Sequence, residues 1–368
     1  KGSTCEYLAS YCRYLGLSYG KTTSPFLKRY NEQIVVNGLE ASDDIIIDAF
    51  ETIDQARGDI SLSYFEFGAL AAMLIFKQQA VEVAILEIGL GGRLDAMNIV
   101  DPDVSIITKI ALDHQDWLGD NREIIGIEKA GVMRRGKPTI MVDPDPPQSL
   151  LQEAERQGAE AHLIQRDFQL NLQSNLQQSQ NLGNVQQKHE LVVGDQCWQL
   201  PETQLPIFSA VAATVAVLQA GFLPDQAMVD QVFKGTRLPG RLQQLNRSPV
   251  FLLDVAHNPD AAKYLLDQLQ QRGLSGLQAI VGLYKDKDIA GVFQHLAPLI
   301  DGWHLFDLPG ERGASADHLA AVLSDSCGLS GQTYDKVDEA VEAAIDASNP
   351  EGTVLVFGSF LTVAAVLK

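Results

Sequence analysis

Short, nearly unbroken apolar runs alternate along the chain with longer amphipathic stretches, and this alternation restricts the fold more than any other feature. In the first two-fifths, "VEVAILEIGLGG" reads as a strand ending in a glycine turn, "DVSIITKIALDH" as a strand ending in a polar loop, and "KPTIMV" as a third strand. "EYLASYCRYLGL", "SYFEFGALAAMLIFKQQ" and "NREIIGIEKAGVMRRG" carry helical spacing, the last stopped by Gly136 and Pro138. Apolar strands separated by helices predict a parallel sheet covered on both faces, since polar alternation is missing where both sides are buried. Residues 165–188 are rich in Gln and Asn and read as a solvated hairpin or loop. The helix "SAVAATVAVLQAGF" follows. After "KGTRLPGRLQQL" the pattern restarts with strands at "VFLLDVAHN", "LQAIVGL", "GWHLF" and "TVLVFGS". The expected fold class is therefore α/β in two domains, 1–238 and 239–368, with the boundary near Leu238-Pro239-Gly240.

Composition narrows the partners. The 368 residues carry 28 Lys and Arg against 47 Asp and Glu, a formal charge of −19. Such a field repels nucleic acid and anionic lipid. An anionic ligand must then be met by local cations, helix N-termini or metal ions. No apolar run reaches the roughly 18 residues of a membrane span, and no signal peptide is visible. Cys5, Cys12, Cys197 and Cys327 have no metal-site spacing, and read as reduced thiols of a cytoplasmic protein.

Ligands of open α/β sheets bind outside the carboxyl ends of the strands, so the polar groups there are the ones to inspect. After "VEVAIL" come Glu87, Gly89, Gly91, Gly92, Arg93 and Asp95. After "SIITKIAL" come Asp113 and His114, and after "VFLL" come Asp254, His257 and Asn258. Glu87 ends a strand expected to be buried, where a carboxylate must bind a metal or pair with a cation such as Arg93 or Lys129. "GLGGRL" lacks the dinucleotide spacing, because Leu94 fills the third glycine position, and this argues against a dehydrogenase. His114 alone would read as a locally satisfied loop histidine, but Asp113 and Asp116 shift it toward metal ligation. Two readings stay open for Lys1-Gly2-Ser3-Thr4. It is an arbitrary terminus, or it is the back half of a phosphate loop at a helix start.

Several of these segments together resemble the bacterial folylpolyglutamate synthase/dihydrofolate synthase family of the Mur ligase superfamily. "KGS" is similar to the tail of that family's TNGKGS loop, "TSPFLKRYNEQI" to its SPHL…ERI segment, and "LEIGLGGRLDAMNIV" to LEVGLGGRLDATN. "IALDHQDWLG", "EKAGV", "LPGRLQ", "DVAHNPDAA", "ERGASADHL" and "VLVFGSF" follow in the family's order. The resemblance implies a P-loop central domain with a mostly parallel sheet, followed by a smaller Rossmann-like domain. It also implies that the sequence starts inside the phosphate loop.

By position, the resemblance assigns Lys1, Gly2, Ser3 and Thr4 to the ATP phosphates. It assigns Ser3 and Glu87 to a first Mg²⁺ and His114 to a second, with Mn²⁺ as a substitute. Lys1, Lys129 and His114 take catalytic places, Lys129 as the lysine that the family carbamylates. Arg241, Asp254 and His257 match nucleotide contacts. Ser24, Pro25, Phe65, Glu66, Asp95 and Ala96 match segments near the pterin. The implied reaction is ATP-dependent amide formation between L-glutamate and dihydropteroate, and reduced folates as well, in a cytoplasmic monomer. The weighed alternatives are a catalytically impaired nucleotide-binding module and a Mur-type cell-wall ligase. The chain departs from the family at Phe26, Gln33, Met97, Lys109 and Val211. The family's residue at the last of these is an adenine-contacting asparagine, so one base contact is expected to be lost.

Overall fold

The computed structural model of the chain describes residues 1–112, 115–173 and 188–367. The polypeptide forms two compact units, Lys1–Arg237 and Leu238–Lys368.

The first unit opens with the helix Gly2–Leu15, whose Ser3, Thr4, Tyr7 and Tyr11 are buried and which stops at left-handed Gly16. It leads into a four-stranded sheet with the spatial order Leu39–Glu40, Ile34–Val36, Tyr19–Thr22, Val83–Leu86. Tyr19–Thr22 and Val83–Leu86 run parallel, and the other pairs antiparallel. The helices Asp43–Arg57 and Tyr64–Gln78 bury Ile46, Ala49, Ile53, Ile75 and Phe76 in one apolar cluster. Ser42 and Ser63 start them by accepting the backbone N–H three residues on. A second sheet pairs Ser105–Ile107, Pro138–Met141 and Glu160–Leu163, all parallel. A third is antiparallel and joins Phe168–Gln173, Lys188–Val193 and Gln196–Leu200. The first two of its strands are the arms of the expected polar hairpin, and residues 174–187 lie outside the described residues.

Two expectations need correction. Val83–Leu86 is not buried on both faces, and among the described residues it pairs with Tyr19–Thr22 alone. Ala84 is exposed and Leu86 half-buried. Ser105–Ile107 likewise ends its own sheet. Both rims line one cleft of about 1100 Å³, together with Cys5, Leu8 and Cys12 of the first helix. The helix expected to reach Gly136 spans only Arg122–Ala130. A Cβ on Gly131 would sit 2.3 Å from Arg93 Cα, so the chain turns where it meets another backbone.

The second unit is built on a six-stranded sheet. Its order is Gln243–Leu245, Val250–Leu253, Thr353–Phe357, Leu277–Val281, Ile300–Phe306, Gln332–Tyr334. The first pair is antiparallel and the rest parallel. Leu252, Val281, Phe293, Trp303 and Phe357 share its core, with Phe293 and Trp303 edge-to-face at 5.0 Å. The chain Val250–Leu253 delivers Asp254 to the carboxyl end of this sheet.

Candidate active site

In the first unit the start of the helix Gly2–Leu15 meets the turn after Val83–Leu86. Lys1 Nζ donates to Ile88 O at 2.6 Å and Gly89 O at 2.9 Å. No side chain caps this helix start, and no acid lies in its first turn. Thr4 N–H donates to Lys1 O at 2.8 Å, which leaves the N–H groups of Gly2 and Ser3 and the positive end of the dipole to meet an anion. Ser3 and Thr4 are buried beside them, and Thr4 Oγ1 has no hydrogen-bond partner among the described residues. An orphaned hydroxyl next to an uncapped helix start fits a phosphate-bearing ligand.

Glu87 is 7% exposed. Its backbone N–H donates to Thr22 O, and its Oε2 accepts Ser24 N–H at 3.2 Å. Arg93, one of its two possible ion-pair partners, binds Glu128 instead at 2.7 Å. Among the described residues no group of three His, Cys, Asp or Glu gathers as a metal cage. The oxygen donors present, Glu87 and the Ser3 hydroxyl, suit Mg²⁺, which takes few carboxylates and fills its shell with water and phosphate oxygens. Positions 1 and 87–89 are thus brought together. Asp113 and His114 lie outside the described residues.

The glycines of the turn serve close packing. A Cβ on Gly92 would lie 2.7 Å from Glu128 O and 3.1 Å from Lys129 Cα. Arg93 N–H donates to Glu128 O at 2.8 Å. Backbone contact thereby seats the end of the helix Arg122–Ala130, and Lys129 with it, against the turn. Asp95 closes the loop from inside, its carboxylate accepting Leu90 N–H and Met97 N–H at 2.9 Å each. Ala96 starts the short helix that follows.

Beside Glu87 a small pocket is lined by Ser24, Gln33, Phe65, Gly68 and Met97. The Phe65 ring packs on Gly89, where a Cβ would lie 2.5 Å away. Glu66 is committed locally: it closes a capping box with Ser63, whose N–H and hydroxyl hold its carboxyl below the usual range. Pro25 is exposed and follows Ser24 in cis. Phe26 lies edge-on to Tyr30, and Lys109 is exposed at its strand end. Val211 is fully buried in the helix Ile207–Gln219.

In the second unit Asp254 is 8% exposed and accepts Leu242 N–H at 2.9 Å and Ala256 N–H at 2.8 Å. Burial raises its pKa, and the Arg241 charge and the two N–H groups oppose that rise. His257 Nδ1 lies 2.8 Å from Val255 O. A carbonyl only accepts, so Nδ1 is the donor in this contact. Arg241 spreads over the Phe360 ring at 5.2 Å. Asn258, not Asp254, caps the following helix Pro259–Gln271.

Sequence reasoning missed a buried ion pair between Glu6 and Lys21. The short "YGKT" strand gave no periodic signal by which to find it.

The Mur ligase, glutamate ligase domain family matches residues 240–360. Over 372 residues the chain is 40% identical to the dihydrofolate synthase/folylpolyglutamate synthase of Escherichia coli, covering 100% of this chain and 84% of that protein. The Haemophilus influenzae protein of the same description is 37% identical, with 99% and 85% covered. Among solved structures, Escherichia coli FolC in complex with DHPP and ADP aligns with a TM-score of 0.91 at 38% identity, over 100% of this chain and 85% of that one. A bifunctional folylpolyglutamate synthase/dihydrofolate synthase with Mn, AMPPNP and L-glutamate bound aligns at 0.89 and 41% identity, over 100% and 86%.

Proposed function

Since the chain belongs to the dihydrofolate synthase/folylpolyglutamate synthase family of Mur ligases, we infer from its own residues how it carries out that family's reaction. It is an ATP-dependent ligase that joins L-glutamate through an amide to dihydropteroate and to folates, and it uses a divalent metal. The observation that carries the division of roles is the meeting of Lys1 with the Ile88–Gly89 turn beside buried Glu87.

A carboxylate is a poor electrophile, so the acceptor's carboxylate first takes the γ-phosphoryl group of ATP, with ADP leaving. The amine of glutamate then attacks the acyl phosphate, and phosphate departs. Negative charge spreads over the transferring oxygens in the first step. We assign Lys1, the N–H groups of Gly2 and Ser3 and the Thr4 hydroxyl to those oxygens. Ser3 and Glu87 are the described residues that would hold a metal ion, which when bound offsets phosphate charge. Lys129, His114, Arg241, Asp254 and His257 are assigned by the family's pattern, the last three as nucleotide contacts. We assign Ser24, Phe65 and Asp95 to the pterin side by the same pattern, where a ring such as Phe65 suits a flat heterocycle. We further propose that the protein acts as a cytoplasmic monomer. No helix among the described residues is long and apolar enough to cross a membrane.

ADP release with L-glutamate, offering dihydropteroate and tetrahydrofolate separately, tests the assignment. Turnover with both acceptors is expected. Absence of turnover with either would return the chain to the class of nucleotide-binding modules.

A further inference from the structure

We propose that Lys21 is a positioning residue for phosphoryl transfer, an internal counter-ion that neutralises the buried Glu6 carboxylate so that the phosphate-facing start of the helix Gly2–Leu15 keeps a positive field. Glu6 and Lys21 are 8% and 9% exposed, and Lys21 Nζ bonds Glu6 Oε2 directly. Glu6 lies one helical turn beyond Ser3. Its other oxygen is 3.3 Å from Arg13 Nη2, on a side chain that is 46% exposed and largely screened. Arg13 is in turn held by Ser10 Oγ at 2.7 Å and the Tyr19 hydroxyl at 3.0 Å. Ser10 accepts from buried Thr236 at 2.9 Å. Glu6 thus anchors the helix through Arg13, while Lys21 supplies the buried positive charge.

The pair shares its surroundings with the site. Lys21 precedes Thr22, whose carbonyl accepts Glu87 N–H. Cys5, next to Glu6 in the chain, lines the same cleft as Lys1 and Glu87. A buried carboxylate one turn from an anion-binding helix start opposes the anion, because the protein interior screens it weakly. Replacing a buried ion pair by apolar side chains is often neutral for stability. Stability alone therefore does not account for placing two charges here.

This inference rests on reading the Lys1–Thr4 turn as the triphosphate seat, so the test separates the two. In the full-length protein, ADP affinity, KM for ATP, KM for glutamate and the urea midpoint are measured for Lys21→Met, Lys21→Arg and the double variant Glu6→Gln/Lys21→Met. Lys21→Met is expected to weaken ADP binding and raise KM for ATP about tenfold, or about 1.4 kcal/mol, with KM for glutamate unchanged. Lys21→Arg and the double variant should bind ADP within about twofold of wild type. The proposal is overturned if Lys21→Met binds ADP as wild type does, or if a folded double variant is as weak as Lys21→Met should be. Should Lys21→Met fail to fold, the double variant decides alone. Unchanged ADP affinity in Ser3→Ala would sink the reading of the turn itself. Weakened binding there, with none in Lys21→Met, sinks only the role of Lys21.

Discussion

Glu87 carries a carboxylate into a buried position, which costs free energy unless the charge is met. It is buried at the end of a strand, and the partner found for it is the Ser24 N–H rather than Arg93. Glu87→Gln keeps the volume and an oxygen for Ser24 while removing the charge. We expect kcat to fall about 100-fold, the scale of losing one electrostatic group in a catalytic site, with ADP affinity changed less than about threefold. Steady-state ADP release and calorimetric titration check this, and wild-type turnover would remove Glu87 from the metal role. His304 gives a prediction of another kind. Buried between Gln278 and Tyr334, it has its pKa pushed below 6.5 by desolvation. Below the unfolded value of 6.5 the unfolded chain binds a proton that the folded one resists, so stability is lost as pH falls through that range. The melting temperature should drop between about pH 7.5 and about pH 5.5, and His304→Gln should flatten that slope.

At the scale of elements, the glycine turn and the helix Arg122–Ala130 form one assembly through backbone contact. Gly92→Ala would drive a methyl group into Glu128 O and Lys129 Cα, which are backbone atoms that cannot rotate away. A loss of roughly 1–3 kcal/mol and a displaced Lys129 are expected, read by urea unfolding and by turnover. Gly136→Ala is the control, since its left-handed φ of 64° costs conformational energy but nothing lies within 4 Å of the new methyl. The strands at 83–86, 277–281 and 353–357 were legible because unbroken apolar runs have few other solutions. The strand Tyr19–Thr22 was not, because four residues with a lysine and a glycine carry no periodicity. The helix expected through Gly136 ended early because its stop is a tertiary contact with Arg93, which local sequence does not encode. Of the candidate site, the order of motifs pointed to Glu87 and the Lys1–Thr4 segment. The capping role of Glu66 and the loop-closing role of Asp95 emerged only from the hydrogen bonds each carboxylate makes.

Over the whole molecule, a charge of −19 leaves anion recognition to a few local positive features, of which the uncapped helix start and Lys1 are the clearest. Each unit has apolar clusters of its own, Leu252, Phe293 and Trp303 among the core residues of the second. Val83 and Glu87 donate their N–H groups to Ser18 and Thr22, so by strand alternation the amides of Ala84 and Leu86 turn toward the cleft. Ile107 O accepts Val142 N–H, which turns Ile106 the same way from the opposite rim. Peptide groups turned into the cleft from both rims leave it a polar seam between apolar side chains.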